Sequence, residues 1–250
     1  FQDHSSMTSS SPLLGIKARN ISLNYEGKPV FRSLDFDIPA GEFVGLLGQS
    51  GIGKTTLLKI IAGLVTPDSG QISGSDGDGL HGRITYMAQQ DLLFPWLKVI
   101  ENVCLGARLR HEKKDYKKAE ELLEKVGLLS VKEQLPETLS GGMRQRVAIA
   151  RTLYEDKPVV LMDEPFSALD AVTRATIQEL AFDLLKNKTV LLVTHDPSEA
   201  ARLCRRILVL KGQPAIFLPA ILVEGKAPRN YDDKNRIKSE TELMHFLKGI

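Results

Sequence analysis

Gly48-Gln49-Ser50-Gly51-Ile52-Gly53-Lys54-Thr55 is the stretch that decides how this chain folds. It follows the apolar run Phe43 to Leu47, which is bounded by glycines and suits a buried strand, and it opens a helical pattern from about Lys54 to Leu64. The spacing fits G-x-x-x-x-G-K-S/T between a strand and a helix. Glycines here let the backbone curl until several N–H groups converge on phosphate oxygens. The helix adds the positive end of its dipole. Gly48, Gln49, Ser50, Gly51, Ile52 and Gly53 then form a phosphate cradle, which Lys54, Thr55 and Thr56 complete. Lys54 is expected to reach the β- and γ-phosphates of a nucleotide. The Thr55 hydroxyl is expected to ligate Mg2+, a hard cation that prefers oxygen. At average composition the four specified positions match by chance on the order of once per hundred chains of this length, so the flanking strand and helix matter as much as the motif.

Downstream, Val159-Val160-Leu161-Met162 is an apolar strand that ends in Asp163-Glu164. Ligands of a parallel sheet bind at the carboxyl ends of its strands. Asp163 is expected to face the Mg2+ through water, and Glu164 to polarise the attacking water as a general base. Taken alone, the acid pair could equally end a strand and cap the next turn. His195 follows another strand, Val190 to Thr194, and could sense a γ-phosphate; alone it would be a solvated loop histidine. Further strands are read at Ile16 to Tyr25, Phe36 to Ile38 and Ile84 to Ala88. Helices are read at Glu112 to Val126, Gly142 to Tyr154 and about Thr173 to Leu185. In the first of these, Ala119, Leu122, Leu123 and Val126 share a face, and Gly127 closes it. Such alternation predicts an α/β core, a mostly parallel sheet covered on both faces. Residues 91–158 lack strong strands and read as a helical insertion.

The bulk numbers narrow the function. The 250 residues are 42% hydrophobic, enough for a sizeable core. The formal charge of +2 is no footprint for a nucleic acid, so no nucleic-acid partner is expected. Cys104 and Cys204 lack metal-type spacing and read as free thiols. No apolar run reaches the roughly 18 residues that span a bilayer, so any membrane role is expected to come through a partner. The Ser-rich residues 1–12 read as a disordered N-terminus or a cloning remnant, with a native start at Met7.

One more stretch orders these parts. In Leu139-Ser140-Gly141-Gly142-Met143-Arg144-Gln145-Arg146, a serine and two glycines open a helix, where hydroxyl and N–H groups can grip a phosphate. By itself this is an ordinary serine N-cap. Lying between the phosphate cradle and Asp163-Glu164, it resembles the L-S-G-G-Q signature of the ATP-binding-cassette superfamily, with Met143 in place of the usual glutamine. The resemblance runs from about Ile16 to Ala215. It implies a P-loop NTPase (RecA-like) core, an N-terminal antiparallel β subdomain and the inserted helical subdomain at about 91–158. The ATPase domain would span 13–215, with 216–250 a short C-terminal tail. It also implies that Tyr25 stacks on adenine and that Gln89 contacts Mg2+ and the attacking water. Ser167-Ala168-Leu169-Asp170 would be the loop that crosses a dimer interface, with Asp170 its acid, and His195 the switch histidine. ATP and Mg2+ are the implied cofactors. Ser140, Gly141 and Gly142 would hold the ATP of a facing chain, a second ATPase subunit in a homodimer.

The segment after Gln89 bears on the type of cassette. Leu92-Leu93-Phe94-Pro95-Trp96-Leu97 resembles the importer segment that receives a transmembrane permease. Phe94, Trp96 and Leu97 also read as core of the helical insertion, and both readings can hold for different side chains. This stretch, together with Gly142-Met143-Arg144-Gln145-Arg146, is similar to the nitrate, sulfonate and taurine group of bacterial importers. Tyr86 to Asp91 with Leu105 to Arg110 is similar to ATPases for thiamine-precursor (hydroxymethylpyrimidine) uptake. The resemblance thus implies a permease, a substrate-binding protein and a place on the cytoplasmic face of the inner membrane. A non-transport cassette ATPase and a P-loop small-molecule kinase are the alternatives; the kinase would need neither Ser140-Gly141-Gly142 nor Ser167 to Asp170.

Overall fold

The computed structural model describes residues 13–248; the N-terminal stretch 1–12 read as disorder or a cloning remnant lies outside them. β1 (Ile16–Tyr25) and β2 (Lys28–Ile38) pair antiparallel through a two-residue turn. Glu26 and Gly27 both have positive φ, 49° and 78°, the backbone a tight hairpin between right-twisted strands requires. β3 (Phe43–Gly48) leads through the glycine-rich loop into α1 (Lys54–Ile61). β4 (Ser69–Gly74) pairs with the other edge of β1 and completes an antiparallel N-terminal sheet. After β5 (Ile84–Met87) come α2 (Val99–Val103), α3 (Leu105–Leu109), α4 (Tyr116–Lys125) and α5 (Gly141–Tyr154). The Asp115 carboxylate caps α4 by accepting from the Lys118 N–H, and Gly127, at φ 71°, follows its end. β6 (Val159–Asp163), α6 (Ala171–Leu185), β7 (Thr189–Val193), α7 (Pro197–Leu203) and β8 (Arg206–Lys211) then alternate. β9 (Ile216–Phe217), β10 (Ile221–Leu222) and α8 (Lys234–Lys248) follow.

The main sheet has seven strands, β10-β8-β3-β7-β6-β5 with β9 beside β8. β8, β3, β7, β6 and β5 run parallel; only the short β9 and β10 oppose their neighbour. The mostly parallel α/β expectation is thus met. Its strands read as continuous apolar runs because both faces are covered. Side chains alternate between the two sides: Val44, Leu161, Leu191 and Leu208 join α1 and the N-terminal sheet. Phe43, Val160, Val190 and Ile207 join the helices of the opposite layer. Within that layer Val99 and Val103 of α2, Leu123 of α4 and Val147 of α5 are wholly buried. Leu97 is buried while Trp96 stands 69% exposed, so the core reading holds for Leu97 and not for Trp96. Cys104 and Cys204 are buried free thiols. Among the described residues no helix is long and apolar enough to cross a membrane.

Residues 216–248 are built into this body. α8 lies along α7 and buries Leu243 completely. Ahead of it, the Arg229 guanidinium is sunk among carbonyl oxygens, donating to Glu224, Val223, Ala201 and Cys204 at 2.7 to 3.1 Å. A cation removed from water persists only when its donors are satisfied in this way. Leu243→Ala is expected to lower unfolding free energy by about 2–5 kcal/mol, read by denaturant titration. A loss within ±0.5 kcal/mol, the usual range for a surface change, would show that the helix contributes little.

Candidate functional site

Three strand ends and the start of α1 converge on a cleft of about 490 Å3. Gly51 and Gly53 have φ of 78° and 110°. A Cβ on Gly53 would come within 2.9 Å of the Val30 and Phe31 side chains, so the N-terminal sheet closes directly on this loop. α1 starts here without a side-chain cap, leaving its first N–H groups for an anion. The Lys54 ammonium donates to the carbonyls of Gly48 and Gln49 at 2.8 and 2.9 Å. Burial pulls its pKa down, against the attraction of Glu164 and Asp163. Gln49 turns outward and donates to the Leu247 carbonyl of α8 at 3.4 Å, while Ile52 lies against the core.

β6 delivers Asp163 to the cleft floor. Burial raises its pKa, opposed by the Thr55 hydroxyl, which donates to its carboxylate at 2.6 Å. The two oxygens meet directly. Together with the nearby Gln89 they are an oxygen donor set that fits a hard divalent cation. Among the described residues no group of three or more His, Cys, Asp or Glu could cage a metal. Mg2+ suits such a site, because it keeps waters and shares substrate phosphates. Glu164 follows in the left-handed region, at φ 51°. Its carboxylate lies 2.5 Å from His195 Nδ1, brought there by the end of β7.

The remaining predicted residues lie elsewhere. Ser140, Gly141, Gly142, Tyr25 and Asp170 do not line this cleft. Ser140 caps α5, its hydroxyl oxygen accepting from the Met143 N–H at 3.2 Å. That use of a lone pair leaves its O–H free to donate. Met143 is partly buried against the helical layer, which gives its apolar side chain a place. Asp170 caps α6 through the N–H groups of Val172 and Thr173, and the Thr173 bonds hold its carboxyl below the usual range. Tyr25 is exposed at the end of β1.

Sequence reasoning missed the side chains of α5 that bind these loops together. Arg144 Nε reaches the Asp91 carboxylate at 3.1 Å, and Arg151 donates to the carbonyls of Asp91 and Leu92 at 2.6 and 3.0 Å. Gln145 bonds to Glu164 and Ala168. Arg144 and Arg151, seven apart, share a helix face, and that spacing was the available signal.

Residues 31–167 match the family described as ABC transporter. The chain is 44% identical over 237 residues to the aliphatic sulfonates import ATP-binding protein SsuB 1 of Rhodococcus jostii, covering 94% of each. It is 40% identical over 213 residues to the taurine import ATP-binding protein TauB of a Jannaschia species, covering 81% of this chain and 80% of that one. Among solved structures, it resembles the ATP-binding cassette MJ0796 in a dimeric post-hydrolysis state bound to ADP and Pi. The TM-score is 0.75 and identity 31%, covering 84% of this chain and all of the other.

A buried acid follows His195 by four residues. Glu199 of α7 accepts from Gln178 Nε2 at 2.7 Å, and burial pushes its pKa up to about 7. The folded state therefore binds the proton more tightly than the unfolded chain, whose glutamate titrates near 4.5. Stability from this group is full below pH 4.5 and is lost as pH rises toward 7. Glu199→Gln is expected to be more stable than the parent at pH 8 by on the order of 1–3 kcal/mol, the gap closing near pH 4.5. Parallel stability–pH curves would contradict the shift.

Proposed function

We propose, since the chain belongs to the ABC transporter family, that it is the ATP-hydrolysing subunit of an importer and works as a head-to-tail pair. One observation carries the pairing: Ser50, Gly51 and Gly53 to Thr56 of the cradle share one cleft with Asp163, Glu164 and His195, and Ser140 to Gly142 stand outside it. A second copy supplies the missing wall. In this reading Lys54 leaves its loop carbonyls for the β- and γ-phosphates, Gly48 to Thr56 hold the phosphate oxygens through N–H groups, and Tyr25 stacks on adenine. Thr55, Asp163 and Gln89 hold Mg2+, which when bound neutralises charge on the phosphate oxygens. Glu164 takes the proton of the attacking water, and His195 steadies its carboxylate. The facing chain's Ser140 O–H and the N–H groups of its Gly141 and Gly142 grip the γ-phosphate. Asp170 and its loop cross the interface.

The relatives named as sulfonate and taurine import proteins support small sulfonates as the cargo class. The cargo would be delivered by a substrate-binding protein and carried by a permease, with this chain on the cytoplasmic face. Phe94 and Trp96 offer the permease a surface: their rings are 5.1 Å apart, and the Trp96 side chain stands free while Leu97 anchors the segment. A small-molecule kinase has no use for the signature or the crossing loop, and the sequence relatives do not favour it.

Glu164→Gln is expected to lower kcat by about 100-fold or more and to leave an ATP-bound dimer stable in size-exclusion chromatography. Turnover at the parent rate would remove Glu164 from the role of base. Trp96 is the sole tryptophan, so its fluorescence should shift when permease is added in detergent. An unchanged spectrum in a complex that forms would place docking elsewhere.

A further inference from the structure

Gln145 lies inside α5, 4% exposed, and its amide joins two loops of the site. Oε1 accepts from the Ala168 N–H at 2.8 Å. Nε2 donates to the Glu164 carbonyl at 3.2 Å. The orientation of the amide is settled by its partners, since a backbone N–H needs an acceptor and a carbonyl needs a donor.

Both partners are under constraint. Glu164 is a non-glycine residue at φ 51°, a conformation that costs on the order of 1 kcal/mol and lasts only when its surroundings fix it. Its N–H donates to the Val193 carbonyl at 2.9 Å. Its own carbonyl accepts from the Ser167 N–H at 3.3 Å, from Ser167 Oγ at 3.1 Å and from Gln145. The Ser167 bonds are internal to the turn and would travel with it. Gln145 alone ties that carbonyl to a helix. Ala168 is held on two sides, because a Cβ on Gly142 would come 3.2 Å from its carbonyl oxygen. The first turn of α5 therefore lies against the crossing loop, and Gln145 sits on the next turn.

We propose that Gln145 is a positioning residue for Glu164, and that it relays the seating of the facing chain's ATP on Ser140 to this chain's own carboxylate. The inference rests on the reading of Glu164 as base and of Ser140 as half of a shared site. Movement of α5 on closure shifts Gln145, and with it the strained peptide that aims Glu164. Each active site thereby responds to occupancy of the other.

Two variants of the full chain test this in steady-state MgATP hydrolysis. Gln145→Met keeps the length and removes both bonds. Gln145→Glu keeps the acceptor for Ala168 but, ionised, has no donor for the Glu164 carbonyl. Both are expected to lower kcat by about tenfold, with the Kd of a fluorescent ATP analogue within about twofold of the parent. The ratio of Gln145→Glu to parent kcat should climb toward about pH 6, where the buried carboxyl regains its proton and donates again; Gln145→Met should show no such recovery. Loss of thermal stability with parental kcat per folded molecule would reduce Gln145 to packing and overturn the proposal. If Gln145→Met does not fold, a Gln145→Glu profile parallel to the parent's overturns it equally. Glu164→Gln separates the two ideas: parental turnover there removes the base itself, whatever the Gln145 variants do.

Discussion

A helix that begins without a side-chain cap leaves N–H groups that something must satisfy, and α1 begins in this way at Gly53. The surrounding architecture serves that exposed end. β3 feeds the loop from the middle of a sheet buried on both faces, so the loop has a rigid base. Val30 and Phe31 of the N-terminal sheet press on Gly53 so closely that only hydrogen fits there. Lys54 folds back on its own loop, its charge held in a partly buried setting that disfavours it. Asp163 faces it, held from the opposite side by the same desolvation. Two groups that both want countercharge border a space into which a phosphate with its cation would fit.

Much of this was readable because phosphate binding imposes local rules. The loop spacing, the strand before it and the helix after it are all contiguous in sequence, as are the acids that end β6 and the histidine that ends β7. The parallel sheet followed from apolar runs too short to be helices. β8 escaped the reading although it lies in the sheet interior between β10 and β3. Its apolar stretch, Ile207 to Leu210, is flanked by Arg205, Arg206 and Lys211 and carries no motif at its end. Nor was the packing of residues 216–248 visible, since a guanidinium such as Arg229 is solvated in most settings and is buried only where carbonyls from several segments meet. The positive φ of Glu164 and the bonds of Gln145 likewise depend on where loops dock. Ser140 and Asp170 are both helix caps, as their local sequence suggests, and capping does not exclude the shared-site role proposed for them.

α5 is the member that ties several of the site's loops together. Its cap is the signature serine, its second turn carries Gln145, and Arg144 and Arg151 hold the segment that follows Gln89. Half of these contacts are hydrogen bonds to backbone carbonyls. Such bonds fix the path of a loop without dictating its side chains, so the loop sequences could vary while the geometry is kept.

The arginine clasp on Asp91 and Leu92 has an evolutionary corollary. The stretch that presents Trp96 and the helix that presents Ser140 are bonded into one frame. Under the docking proposed for Phe94 and Trp96, a lineage that changed its membrane partner would have to alter those residues within that frame or replace the whole helical insertion as a block. Partner choice and catalytic alignment would then be inherited as a single module.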